Sequence, residues 1–158
     1  MKKCVGILIA LTSTAALAGD PSFADFAVKQ AHKQGFNGCD AAIKRHHENA
    51  GGADIRVNVT TYRNNPNLLT MVSTWGAKGD SVFSKATFVK QSQKCLYDST
   101  SILTTSKSCL AYAQEMPAFK YVAEAGDYIW MKNKGGANLL LKPIENGCVA
   151  TFTVDQEA

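Results

Sequence analysis

Long apolar runs, clustered prolines and charge of a single sign are all missing from this chain. Its longest unbroken apolar or small stretch, Cys4 to Leu11, is too short to cross a bilayer, which takes about 20 helical residues. The four prolines are scattered, so no proline-rich linker divides the 158 residues. Lys and Arg number 17 against 13 Asp and Glu, and the formal charge of +4 gives no reason to expect nucleic acid or an anionic membrane surface. Phosphate-loop patterns, a G-x-S-x-G elbow and an S-x-x-K pair do not occur. Neither does C-x-x-C, and the cysteine spacings match no zinc pattern. The expectation is therefore no cofactor, no metal and no catalytic residue.

What is present begins with a leader. Lys2 and Lys3 precede the apolar run, and Ala16-Leu17-Ala18 places small residues where a signal peptidase reads them. Residues 1–18 are read as a secretory signal peptide, and residues 19–158 as one globular domain. Cys4 stands at the start of the apolar run rather than after it, so no lipid attachment and no stable membrane anchor are expected. The Met-Lys-Lys start points to bacterial export, to the periplasm or beyond. Loss of Lys2 and Lys3 brings the charge to about +2.

Four cysteines remain, Cys39, Cys95, Cys109 and Cys148, and an even count in an exported chain reads as two disulfides. Three connectivities are open. Cys95 and Cys109 flank a Ser/Thr-rich stretch, which makes local closure plausible and would tie Cys39 to Cys148.

Helical spacing comes first along the chain. Asp20-Pro21 reads as an N-cap and first turn, Phe23, Phe26, Ala27 and Ala31 share a stripe, and Gly35 is a stop. A second short helix covers Cys39 to His47. From Ile55 the period becomes 2: Ile55, Val57 and Val59 alternate with Arg56, Asn58 and Thr60. Strands follow at Leu68 to Trp75 and Val82 to Lys90. Asp98 to Ser108 reads as loop or exposed edge strand, Ser108 to Met116 as a short helix, and Phe119 to Lys132 as a long or bulged strand interrupted near Gly126-Asp127. Turns at Lys134-Gly135-Gly136 and Glu145-Asn146-Gly147 separate the last strands, Asn138 to Lys142 and Cys148 to Val154. Short turns imply antiparallel pairing. The expected architecture is α+β: N-terminal helices packed on a curved antiparallel β-sheet, stapled by disulfides. No internal repeat is visible.

His46-His47-Glu48 gathers ligand-type side chains, but adjacent residues on a helix diverge by about 100°, so the two rings do not share one ion. The run Lys44 to Glu48 reads as a solvated helix end, where cations suit the helix dipole. Asp127 with Glu124 or Glu145 is the carboxylate pairing available for acid/base work. Trp75, Tyr128 and Trp130 stand at strand positions, and Tyr128 and Trp130 share a face beside Lys132 and Lys134. Tyr and Trp dominate interface hot spots. These five residues are the candidate partner-binding site.

Export, bridging and missing catalytic machinery favour a non-enzymatic binding protein. The expected partner is another protein of the cell envelope, which it inhibits or adapts in the manner of an inhibitor or immunity protein. The alternatives are a small-ligand carrier and a small envelope hydrolase. Intact-mass measurement of the exported protein is expected to show residues 1–18 removed and four hydrogens fewer than the reduced chain. Free thiols or a lipid-sized increment would contradict this.

Overall fold

Alternating side chains make the strands, and short polar turns fold each onto its neighbour. A computed structural model describes residues 21–51, 54–77 and 80–157. The leader expected at residues 1–18 lies outside these. Helix α1 (Pro21–Lys33) and helix α2 (Asp40–His46) come first. Strands β1 (Arg56–Tyr62), β2 (Asn65–Ala77), β3 (Asp80–Gln91) and β4 (Lys94–Thr105) form a meander. Helix α3 (Cys109–Gln114) precedes a second meander of β5 (Phe119–Ala125), β6 (Tyr128–Asn133), β7 (Asn138–Ile144) and β8 (Gly147–Glu157). All strands join one antiparallel sheet in the order β1-β2-β3-β4-β8-β7-β6-β5.

The balance is mostly β rather than the α+β expected. Two segments account for the difference. Asp98 to Ser108, read as loop or edge, contains most of β4, a central strand hydrogen-bonded on both sides. Phe119 to Lys132, read as a strand interrupted near Gly126-Asp127, is two strands, the hairpin β5–β6 turning at that point.

Residues opposed across a ladder share a face, so the register sorts the side chains. On one face lie Leu69, Met71, Ala86, Phe88 and Tyr97, which pack with Ala27, Val28, Ala31, Phe36, Ala42 and Ile43 from the helical segment. The same face continues through Ala150, Leu139, Leu141 and Met131, which pack with Cys109 and Tyr112 of α3. All three helices therefore cover one side of the sheet.

The register also reveals an internal repeat. Placing Cys95 on Cys148 carries Ala86 onto Leu139, Phe88 onto Leu141 and Tyr97 onto Ala150, pair for pair across the β3–β4 and β7–β8 hairpins. Continuing outward sets Leu69 on Ile129 and Met71 on Met131, then Val57 on Phe119 and Val59 on Tyr121. Each half is thus a helix followed by a four-stranded meander. Where the halves meet, Thr100 opposes Thr153, which is its own counterpart. A local two-fold axis therefore runs through the sheet between them. The outer turns differ in length, and few aligned residues are identical, so the repeat leaves no trace in the sequence.

Each half carries its own staple. Cys39 at the start of α2 bonds Cys95 of β4, and Cys109 at the start of α3 bonds Cys148 of β8. The local Cys95–Cys109 closure is not the one formed, because the Cys95 and Cys109 ends of their segments lie at opposite ends of β4. Gly147 opens β8 at a φ of 142°, and a Cβ there would come within 1.9 Å of the Thr105 carbonyl oxygen. Only glycine lets β8 start this close to β4.

The bridges close loops of 56 and 39 residues' separation. By chain entropy each contributes about 4 kcal/mol. The Cys109→Ser/Cys148→Ser variant is expected to lose roughly that amount in urea unfolding. A loss below about 1 kcal/mol would show that α3 is held by packing alone.

Candidate functional site

Opposite the helices, the other sheet face has nothing packed on it among the described residues. Register lays its side chains in rows across the strands. One row runs Arg56, Thr74, Phe83, Ile102, Thr151, Leu140 and Trp130 from β1 to β6. Its large members are open to solvent: Phe83 is 43% exposed, Ile102 36% and Trp130 40%. From Phe83 to Trp130 the row spans four inter-strand steps, roughly 19 Å. Phe83 and Ile102 are neighbours in this row, as are Leu140 and Trp130, with Thr151 between the two pairs.

The row one step along the strands, about 7 Å away, holds Lys85, Thr100, Thr153, Asn138, Lys132 and Lys120. On the other side lie Lys142 and Tyr128, with the Lys142 Nζ 5.4 Å from the centre of the Tyr128 ring. The apolar row is therefore flanked by lysines on both sides, and Arg56 ends it. Carboxylates collect one row further out. Asp98 opposes Asp155 on this face, and Glu157 is bridged to Lys94. Asp98 is held above the usual carboxylate range, first by partial burial and then by its hydrogen bond with Asp155.

Of the five expected partner-binding residues, Tyr128, Trp130 and Lys132 come together on this face. Lys134 is exposed in the β6–β7 turn. Trp75 is not with them. It opposes Val82 on the helix-covered face, its ring 6.1 Å from both Phe23 and His47. Phe83, Ile102, Leu140, Lys85, Lys120 and Lys142 escaped the sequence reading. A row across strands appears in the chain only as single residues far apart, and nothing short of the register could join them.

The histidine pair is not the solvated helix end the sequence suggested. His47 is fully buried. Its Nδ1–H donates to the Ile43 carbonyl at 2.9 Å, and Nε2 accepts from the Ser73 hydroxyl at 3.0 Å. His46 turns the other way, its Nε2 3.0 Å from the Ser84 Oγ, which lies 2.8 Å from the Ser101 Oγ. The rings pack edge-on against each other at 4.6 Å, with Phe88 and Tyr97 beyond His46. The basic surface expected there is carried by Lys44 and Arg45, while the histidines turn inward because the sheet beneath α2 offers three serine hydroxyls. Ser84 is buried completely, so its hydroxyl cannot meet a substrate. Asp127, Glu124 and Glu145 are exposed on two different turns and an edge strand. Among the described residues no three His, Cys, Asp or Glu are grouped to hold a metal ion.

Comparison of the chain with family models, with curated proteins and with solved structures gives no match. The function rests on the geometry alone.

Burial pushes His46 down to about 3, with His47 adding to the effect, and burial lowers His47 as well. His46 then binds its proton in the unfolded chain but not in the fold between about pH 6.5 and 3, so acid favours unfolding over that window. Stability is expected to be complete above it and to fall by on the order of 3 kcal/mol as the pH drops towards 3. Urea titrations of the native protein and of His46→Gln measure it, with the variant showing the weaker pH slope. Equal slopes would remove His46 from the explanation. His47→Ala is expected to cost about 2 to 3 kcal/mol, since it leaves the Ser73 hydroxyl buried without its acceptor.

Proposed function

We propose that this chain is a non-enzymatic binding protein, exported to the bacterial periplasm, that engages another protein of the cell envelope through its uncovered sheet face. The observation that carries this reading is the row from Phe83 to Trp130, apolar but for Thr151 and bordered by Lys85, Lys120, Lys132 and Lys142, with no carboxylate in these rows. An exposed Trp at the end of an apolar row, with cations around it, suits a partner whose own apolar ridge is flanked by acidic residues. A face this broad is protein-sized rather than small-ligand-sized, since ligand sites are concave and enclose most of what they bind. Two disulfides fit an oxidising compartment, and no helix among the described residues is long and apolar enough to cross a membrane. Occupying a partner's surface in this way would inhibit or adapt it.

Trp130→Ala tests the reading directly. At a half-exposed site the change is expected to cost less than about 1.5 kcal/mol of stability, against 3 to 5 for a core Trp. It should weaken capture of the partner from periplasmic extract by at least about 2 kcal/mol. Lys132→Glu should act instead on the association rate and its salt dependence. Equal capture by the native protein and Trp130→Ala would overturn the proposal, as would a core-sized fall in melting temperature.

A further inference from the structure

The two halves are unequally covered. In the first, α1 lies against α2 and β1, and Phe36, from the loop between the two helices, is plugged into the core at 1% exposure. In the second, β4 ends at Thr105 and α3 begins at Cys109, so no helix precedes α3. Placing Cys39 on Cys109 puts Ser106 where the first half has Phe36.

The side chains record the difference. Leu69 is fully buried, whereas its counterpart Ile129 is half-buried. Val59 packs against the first core, whereas its counterpart Tyr121 is 61% exposed. Asp40 bonds His32 of α1 at 2.9 Å, and its counterpart Leu110 stands 71% exposed with no helix to meet. A groove opens at this place, lined by Ser106, Leu110, Ile129, Pro143, Ile144 and Gly147. Its rim is acidic. Glu145 lines it, and Glu124 opposes Ile129 on the same face. Neither carboxylate is paired with a cation among the described residues, while Glu115 is held by Lys107.

We propose that this groove is a second docking site, and that its occupant is an amphipathic helix of a partner protein. That helix carries small and aromatic residues on its apolar face, basic residues beside them and an aromatic side chain just past its end. The first half shows the pattern already seated. Phe23, Ala24, Ala27, Val28 and Ala31 of α1 are buried, Lys29 and Lys33 are exposed, and Phe36 follows. The basic flank complements Glu124 and Glu145, and an apolar contact takes the place of the His32–Asp40 bond at Leu110. Because the groove lies on the helix-covered side, it is independent of the uncovered face. Both can be occupied at once, which makes the chain able to bridge two proteins.

The test uses the intact, disulfide-bonded protein and a synthetic peptide of residues 21–38, the segment that fills the equivalent place in the first half. Amide shifts on titration are expected to saturate and to centre on Leu110, Tyr121, Ile129 and Gly147. Peptide Phe36→Ala, and separately protein Leu110→Asp, should weaken binding about tenfold or more. Leu110 is exposed enough for that substitution to leave the fold intact, and unchanged melting confirms it. Trp130→Ala should bind the peptide as the native protein does, which separates this site from the uncovered face. No saturable shift at millimolar peptide, shifts centred on the first half, or undiminished binding by Leu110→Asp would overturn the proposal. So would self-association of the protein that Leu110→Asp abolishes, since the occupant would then be a second copy.

Discussion

The ladder between β4 and β8 is the pairing on which everything else rests. Without it the molecule would be two helix-and-meander units, each with its own disulfide and its own buried cluster. Pairing from Leu96–Glu157 to Thr105–Cys148 joins them into one sheet and aligns their apolar faces, so that all three helices fall on the same side. The exposed rows are a consequence. Phe83 and Ile102 belong to the first half, Leu140 and Trp130 to the second, and only the β4–β8 register sets them in line. A slip of one residue would turn Ser99, Ser101 and Leu103 outward and break the row.

The centre of the first half is unusual in being polar. Ser73, Ser84 and Ser101 lie beneath α2, where a sheet normally presents aliphatic side chains, and the two histidines satisfy them. Such a network fixes the height and rotation of α2 on the sheet, since each hydrogen bond has one geometry that completes it. The counterpart of His46 in the second half is Met116, which packs against an apolar cluster instead. The halves share a backbone plan and differ in how their helices are fastened.

Asymmetry between the halves also divides the surface. The local two-fold axis at Thr100 and Thr153 sends Ile102 and Thr151 to one side and Asp98 and Asp155 to the other. One end of the uncovered face is therefore apolar and basic, and the other acidic. A partner placed upside down would set like charges together, so the face has a polarity as well as a composition.

Local pattern by itself determined the strands whose faces differ in polarity. Ile55 to Thr60 is legible because its buried and solvent positions carry different residue types, and the first two helices are legible from their 3.6-residue stripe. The even cysteine count implied two bridges. β4 was not legible, because Ser99 and Ser101 are polar residues on the covered face, with Ser101 bonded to Ser84 of β3, which in turn meets His46, and a chain cannot show that its serines are satisfied. Trp75 and Trp130 look alike in sequence, each an aromatic in an alternating strand. Register put one under the helices and the other in the open. Cysteine pairing, the repeat and the row of exposed side chains were all decided by which strand lies beside which, at separations that no local pattern encodes.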